Sequence, residues 1–181
     1  RLHRLVTNLL DITRLESGAV DLQTEWMPLE EVVGATLNRR ELALEAHRVR
    51  VSLPEDLPLV AMDAVLMEQL LLNLLDNALK YSPPGTPVDI KAWAAGKSLT
   101  LSIADQGPGI PAGEQERIFE KLARGQAASN RPGAGLGLAI CKGIVTAHHG
   151  RIQAVNHPQG GAQFLVTLPL GTPPAMPEEA P

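Results

Sequence analysis

The sequence predicts an α+β fold in which helices cover one face of a mixed, mostly antiparallel sheet. Helical and strand-like segments are interspersed along the chain, and no internal repeat is visible. Two pairs of alternating apolar segments are each joined by a glycine-containing turn, which is typical of β-hairpins. One long leucine-rich segment, residues 63–82, has the spacing of a buried helix. Together these patterns favour two layers, helices on a sheet.

The composition indicates one globular domain with short appendages. The chain has 181 residues, 44% of them apolar, and a formal net charge of -4, which is enough for one sizeable core. This charge does not suggest nucleic acid or an anionic membrane as a partner. Cys141 is the single cysteine, so no disulfide can form within the chain, and a reducing compartment fits. No segment approaches the length of a membrane-spanning helix.

The two ends of the chain differ from its centre. In residues 1–17, apolar side chains recur at spacings of three and four, as in a coiled-coil or bundle helix; a surface helix packing on its own domain is the alternative. Because the chain begins without Met and inside this helix, we interpret it as a fragment. Residues 171–181, rich in Pro, Ala and Glu, are predicted to be disordered. The predicted units are therefore 1–17, 18–170 and 171–181.

The central unit is predicted to contain helices and strands in mixed order. Asp63 is expected to cap the leucine-rich helix as an N-cap acceptor, and Ser82-Pro83-Pro84-Gly85 to end it. The other predicted elements are strands at Val20–Met27, Val49–Leu53, Val88–Ala94, Leu99–Ile103, Arg151–Val155 and Gln163–Leu168, a helix from Pro28 to about His47, a short helix around Glu114–Phe119, and a helix from the glycines at 133–137 to about His149.

The leucine-rich helix carries two amides, Asn73 and Asn77, one turn apart on one face. Gln69 and Tyr81 continue the same stripe, and Lys80 lies beside it. A buried amide without a partner costs free energy, so we interpret this stripe as a polar face that meets a ligand.

Two glycine-containing segments provide further candidate sites. Asp105 ends a strand and precedes a turn with Gly107 and Gly109, where a carboxylate could accept from an exocyclic amine; an ordinary loop is the alternative. Residues 133–138 open a helix, whose free backbone N–H groups favour an anion. The second segment matches neither the dinucleotide-binding nor the P-loop fingerprint.

In this order and spacing, the motifs closely resemble the ATP-binding catalytic domain of sensor histidine kinases. Residues Asn73–Ser82 resemble the N box, Asp105–Ile110 the G1 box, Arg117–Lys121 the F box and Gly133–Leu138 the G2 box. The resemblance runs from Arg1 to about Leu170. It implies the two-layer α/β sandwich of the histidine kinase, gyrase and heat-shock-chaperone ATPase type.

Within this family, Thr7–Gly18, Glu25-Trp26 and Pro28–Glu31 are most similar to the potassium-responsive Kdp sensor kinases. The resemblance implies that residues 1–17 end a dimerisation helix and that the full-length protein is a homodimer. It also implies a cytoplasmic domain of an inner-membrane protein, with no direct membrane contact in this segment. Its partners would be a phosphoacceptor helix and a response regulator.

The resemblance implies ATP and Mg²⁺ as ligands and assigns roles to individual residues. Asn77, with Asn73 nearby, would bind the metal, Lys80 would reach a phosphate, and Tyr81 would pack against adenine. Asp105 would accept from the adenine amine, and Arg124 would approach the terminal phosphate. The remaining expected nucleotide-binding residues are Gly107, Gly109, Ile110, Phe119, Gly133, Gly135, Leu136, Gly137 and Leu138, and residues 119–133 would form a mobile lid.

Asn73 distinguishes a kinase from a hydrolase. Related ATPases have a glutamate at this position, four residues before the metal-binding asparagine, where it activates water. An amide cannot act as a general base, so the expected reaction is phosphoryl transfer to a histidine. A non-catalytic nucleotide-sensing module and a related ATPase are the alternatives.

The sequence departs from the family pattern in two ways. Leu122-Ala123-Arg124 replaces the usual Phe-Tyr-Arg after the F box, so a looser lid is expected. The phosphoacceptor histidine of the family is absent from this sequence. The histidines at positions 47, 148, 149 and 157 are interpreted as surface or capping residues.

Overall fold

The computed structural model describes residues 21–39, 48–120 and 135–173. The predicted helix at 1–17 and residues 174–181 of the predicted tail lie outside these ranges. In chain order the described elements are β1 (Glu25–Met27), α1 (Leu29–Arg39), β2 (Arg48–Ser52), β3 (Val60–Met62), α2 (Ala64–Tyr81), β4 (Pro87–Ala95), β5 (Ser98–Ala104), a 3₁₀ turn (Arg117–Phe119), α3 (Gly137–Ala147), β6 (Arg151–Asn156) and β7 (Ala162–Pro169).

The main sheet has five strands in the order β2-β4-β5-β7-β6. Strands β4 and β5 form one antiparallel hairpin, β6 and β7 form another, and β5 pairs antiparallel with β7. Strand β2 pairs with β4 in parallel. The β4–β5 hairpin turns at Gly96, whose φ of 57° lies in the left-handed region that glycine adopts most readily. The predicted mixed, mostly antiparallel sheet is confirmed.

The core lies between one face of this sheet and the helices. Every second residue of β7 is buried, whereas four consecutive residues of β5, 101–104, are buried. The large apolar side chains that these two strands contribute to the core are Leu99, Leu101, Ile103, Phe164, Val166 and Leu168. Helix α2 packs between α1 and α3 and contacts β5. Its buried leucines are Leu70, Leu71, Leu74 and Leu75, and each contributes about 2 kcal/mol by leaving water. The amides Asn73 and Asn77 are half-buried at the side of this leucine face.

A second, two-stranded sheet pairs β1 with β3 antiparallel, with Trp26 opposite Ala61. Strand β3 was not predicted, because three residues after a proline-rich loop are too few to show a period. Among the described residues of the strand predicted at Val20–Met27, only Glu25–Met27 form a strand. Its partner offers three residues, so the pairing is short, and residues 21–24 have no regular structure.

The ends of the helices agree with the predicted capping. The side chain of Asp63 accepts hydrogen bonds from the backbone nitrogens of Val65 and Leu66, each at 3.1 Å, which confirms it as the N-cap of α2. Helix α2 ends at Tyr81, directly before Ser82. Helix α1 begins after Pro28, and its predicted end near His47 lies outside the described residues.

The other two predicted helices are shorter in the structure. The helix expected at Glu114–Phe119 is a 3₁₀ turn at Arg117–Phe119. Helix α3 ends at Ala147, two residues before the predicted position. The chain packs closely against β7 just after this end. A Cβ built on Gly150 would lie only 2.5 Å from the carbonyl oxygen of Thr167.

Among the described residues, no helix has the length and apolar character needed to cross a bilayer.

Candidate functional site

The amide face of α2 meets the start of α3. A Cβ built on Gly137, the first residue of α3, would lie 3.6 Å from Oδ1 of Asn73. The residue before it, Leu136, is the N-cap and gives no side-chain capping bond. Among the described residues, no side chain caps the first N–H groups of α3 where this helix approaches the carboxamide of Asn73. A helix N-terminus without such a cap attracts anions.

The side-chain nitrogen of Asn73 is a hydrogen-bond donor that a ligand could use. Its Nδ2 is buried and has no hydrogen-bond partner of good geometry among the described residues. The buried thiol of Cys141 lies beside this carboxamide, and burial raises the pKa of that thiol while the Asn73 amide opposes the rise. A buried amide nitrogen without a partner costs about 1–3 kcal/mol, a cost that a bound ligand would remove.

Asn77 lies one turn further along the same face. It is half-buried, and no hydrogen bond joins its carboxamide to another described residue. The described part of the chain contains no group of three or more His, Cys, Asp or Glu side chains that could hold a metal ion. The donor identified beside the start of α3 is the neutral amide of Asn73, and Asn77 lies one turn further along α2. This donor set fits Mg²⁺ if phosphate oxygens and water supply the other ligands.

Asp105 lies at the end of β5 and is buried, with 5% of its surface exposed. Its Oδ1 accepts from the backbone nitrogens of Gly107 at 2.7 Å and Ala162 at 3.1 Å. Burial raises the pKa of this carboxyl, and the two backbone donors oppose the rise. Oδ2 has no hydrogen-bond partner among the described residues, so it can accept from a ligand.

The Asp105 turn packs against the end of α2. A Cβ on Gly107 would lie 3.0 Å from the carbonyl oxygen of Tyr81 and 3.0 Å from Oδ1 of Asp105. A side chain at position 107 would therefore push against the backbone of Tyr81 and the carboxylate of Asp105. Helix α2 thus contacts α3 near Asn73 and the Asp105 turn near Tyr81, and these two positions lie about 12 Å apart along the helix.

Lys80 and Tyr81 interact with each other. The Lys80 Nζ lies 3.0 Å from the Tyr81 hydroxyl oxygen and 4.7 Å from the centroid of the Tyr81 ring. Both side chains are half-buried. The ammonium therefore lies at the hydroxyl end of the ring, within cation–π distance of its centroid.

The other predicted site residues occupy different environments. Phe119 is buried and packs edge-on against Phe164, with the ring centroids 6.3 Å apart. Ile110 is also buried, whereas Gly135, Gly137 and Leu138 are half-buried and Leu136 is buried. Arg124 and Gly133, together with most of the predicted lid, lie outside the described residues.

The histidines were interpreted as surface or capping residues, and His148 agrees with that interpretation as a cap. It is the C-cap of α3, and it is buried rather than on the surface. His149 is exposed, and His157 accepts a hydrogen bond from the backbone nitrogen of Gln159 through its Nδ1. His47 lies outside the described residues.

The β6–β7 hairpin was predicted from the sequence, but its contacts with the Asp105 turn were not. Asn156, the last residue of β6, hydrogen-bonds to Ile110 through both atoms of its carboxamide. Ala162, the first residue of β7, hydrogen-bonds to Asp105. The Gly160-Gly161 pair indicates a turn in the sequence, but only the strand order shows that this turn lies beside the loop after β5.

Comparisons with known proteins show the family of the chain. Residues 62–172 match the profile of the "Histidine kinase-, DNA gyrase B-, and HSP90-like ATPase" family. The chain is 49% identical over 175 residues to the sensor protein KdpD of Escherichia coli strain K12, covering 97% of this chain and 20% of that protein.

Two solved structures show the same fold. The mycobacterial sensor histidine kinase MprB has a TM-score of 0.71 and 32% identity, covering 81% of this chain and 97% of the solved one. Full-length ShkA in complex with AMPPNP has a TM-score of 0.82 and 29% identity, covering 96% of this chain and 37% of ShkA. The chain spans about a fifth of the length of the KdpD protein it matches. It therefore belongs to the histidine kinase-, DNA gyrase B- and HSP90-like ATPase family, as the ATP-binding catalytic domain of a sensor histidine kinase.

Proposed function

We propose that this domain binds Mg-ATP along α2 and positions the γ-phosphate for transfer to a histidine of a dimerisation helix. The observation that carries the proposal is the approach of α3 to Asn73, where the Cβ position of Gly137 lies 3.6 Å from Oδ1. This contact brings the N-terminus of α3 to the amide of Asn73, and Asn77 lies one turn further along α2. Such a place suits the phosphates of a nucleotide.

The nucleotide would extend along α2 from Tyr81 to Asn73. Adenine would lie at the Asp105 turn, where Oδ2 has no partner among the described residues and can accept from the exocyclic amine. The carboxylate should be ionised for this role, although burial raises the pKa of Asp105. The triphosphate would then reach the start of α3, since the two ends of the site lie about 12 Å apart.

The amides would hold the metal ion. Asn77 and Asn73 would offer their side-chain oxygens, and Lys80 would turn from the Tyr81 ring to a phosphate. Bound Mg²⁺ supplies positive charge next to the phosphate oxygens. Arg124 is proposed to approach the terminal phosphate from the lid. Positioning and charge neutralisation would then supply most of the catalysis.

The residue at position 73 supports transfer over hydrolysis. An amide cannot remove a proton from water, and the buried Nδ2 of Asn73 acts only as a donor. In the proposed reaction a histidine nitrogen forms a bond to the γ-phosphorus. The bond from that phosphorus to the β,γ-bridging oxygen breaks, and ADP leaves.

The whole protein is proposed to act in a two-component system. The phosphoryl group would pass from the histidine to a response regulator, and the full-length protein would be a homodimer anchored in the inner membrane. The 49% identity to E. coli KdpD supports a role in potassium-responsive regulation. The domain itself would lie on the cytoplasmic side.

The experiment that tests this proposal uses the longer protein that includes a phosphoacceptor helix. Incubation with γ-labelled ATP and Mg²⁺ should give an acid-labile label on the protein, and Asn77→Ala should remove it. Free phosphate should remain near background in both the native protein and Asn73→Ala. Tight ATP binding without labelling would instead favour a nucleotide sensor, and substantial phosphate release that survives Asn73→Ala would favour an ATPase.

A further inference from the structure

One cross-strand pair contacts both ends of the loop from Asp105 to Ile110. Asn156 at the end of β6 and Ala162 at the start of β7 are direct register partners. Ala162 holds the first end of the loop: its carbonyl oxygen accepts from the nitrogen of Asp105 at 2.9 Å, and its own nitrogen donates to Oδ1 of Asp105 at 3.1 Å.

Asn156 holds the second end through its side chain. Its Oδ1 accepts from the backbone nitrogen of Ile110 at 2.7 Å, and its Nδ2 donates to the carbonyl oxygen of Ile110 at 3.0 Å. The carboxamide therefore satisfies both backbone groups of one residue, as a neighbouring strand would. Since the side chain of Ile110 is buried in the core, this residue is fixed on both sides.

The glycine before Ile110 is required by this arrangement. Gly109 has a φ of 78°, and a Cβ at this position would lie 2.8 Å from Oδ1 of Asn156. Both its backbone conformation and the lack of space exclude a side chain. Gly109 thus has a structural requirement that does not depend on contact with a ligand.

The turn between β6 and β7 adds a third contact. Gly161 has a φ of 88°, and a Cβ there would overlap the carbonyl oxygen of Asp105. The main chain of the turn therefore packs directly against the main chain of Asp105. The hairpin supports the loop at its two ends and along the backbone of the residue that carries the carboxylate.

We propose that Asn156 is a positioning residue for adenine recognition. By holding Ile110 it fixes the far end of the loop, and so keeps the Asp105 carboxylate in the orientation that meets the exocyclic amine of adenine. The inference rests on the proposed function, in which Asp105 accepts from that amine. Asn156 itself makes no contact with the nucleotide in this proposal.

The test compares two nucleotides by calorimetry in the presence of Mg²⁺: ATP, and purine riboside 5′-triphosphate, which lacks the 6-amino group. Asn156→Ala should weaken ATP binding about tenfold, because the freed loop no longer keeps the Asp105 carboxylate in place for its hydrogen bond with the adenine amine. The analogue should bind native protein and variant within about twofold. Gln153→Ala, an exposed amide on the same strand, should change neither affinity.

A double variant tests whether Asn156 acts through Asp105. Asp105→Asn with Asn156→Ala should bind ATP no more weakly than Asp105→Asn alone, because the two changes remove the same interaction. Equal weakening of both nucleotides in Asn156→Ala, or no weakening of either, would overturn the proposal. A native protein that binds both nucleotides equally would instead overturn the assignment of Asp105 to adenine.

A second variant keeps the test decisive if Asn156→Ala does not fold. Asn156→Asp retains an acceptor for the Ile110 nitrogen and loses the donor to its carbonyl oxygen. It should give a smaller loss of ATP affinity than Asn156→Ala, with the analogue again unaffected. Equal losses for the two nucleotides in this variant would count against the proposal in the same way.

Discussion

The backbone N–H of Asp63 donates a hydrogen bond to Nε2 of His148 across 3.0 Å, and this bond joins the start of α2 to the end of α3. The other ring nitrogen, Nδ1, lies 2.8 Å from the carbonyl oxygen of Ile144. Because the N–H can only donate and the carbonyl can only accept, the ring carries its proton on Nδ1. Oδ2 of Asp63 also accepts from the nitrogen of Gln23 at 3.1 Å. Three segments of the chain, at Gln23, the start of α2 and the end of α3, therefore meet at Asp63.

Replacing this ring should destabilise the fold. In His148→Phe the buried N–H of Asp63 loses its partner, whereas the carbonyl oxygen of Ile144 still accepts from the backbone nitrogen of residue 148. We expect a loss of about 2 kcal/mol in the free energy of unfolding. Urea denaturation followed by circular dichroism measures it. His149→Asn, at an exposed neighbour with a φ of 56° that asparagine tolerates, should change stability by less than about 0.5 kcal/mol. Equal stabilities for His148→Phe and the native protein would show that the ring bonds contribute nothing.

Asp105→Asn should weaken ATP binding without destabilising the fold. The amide keeps an oxygen for the nitrogens of Gly107 and Ala162, but it presents N–H donors to the adenine amine in place of Oδ2. ATP affinity should therefore fall about tenfold or more, as measured by calorimetry.

The same variant should alter how stability depends on pH. Burial raises the pKa of Asp105 above its ordinary value of 3.8, so ionisation of this carboxyl destabilises the native fold. Its favourable contribution is complete below pH 3.8 and is lost as the pH rises through the raised pKa. Relative to the native protein, Asp105→Asn should be more stable at pH 7, and the advantage should shrink as the pH falls toward 3.8. An advantage that grows on acidification would contradict the direction of the shift.

Gly137→Ala should fill the space between α3 and Asn73 without harming the fold. The added methyl would lie 3.6 Å from Oδ1 of Asn73, an ordinary contact distance, and alanine favours a helix over glycine by up to about 1 kcal/mol. We expect an equal or higher free energy of unfolding together with weaker ATP binding.

The matched control for this change is Gly34→Ala. Gly34 lies within α1, and a Cβ there would meet no atom within 4 Å. This variant should share the gain in stability and keep native ATP affinity. If Gly137→Ala also keeps native affinity, phosphates do not approach the start of α3 at this residue.

Local patterns were enough to predict the components that depend on neighbours in sequence. The spacing of the α2 leucines, the Asp63 cap and the two hairpins all come from interactions within a few residues. The supporting contacts of Asn156 and His148 link positions 46 and 85 residues apart, so no short window shows them. Strand β3 was missed for a related reason, since its three residues pair only with a strand more than thirty residues away.

The most direct test of the proposed Mg-ATP site is whether Asn77→Ala still binds ATP more tightly with Mg²⁺ than without it. The variant should fold normally, since alanine is a better helix former than asparagine, and Asn38→Ala, an exposed change on α1, controls for the substitution. By calorimetry, the native chain and Asn38→Ala should bind ATP more tightly with Mg²⁺ than without it, and Asn77→Ala should lose that metal-dependent binding. An unchanged affinity for Mg-ATP in Asn77→Ala would contradict the assignment of the α2 amides to the metal.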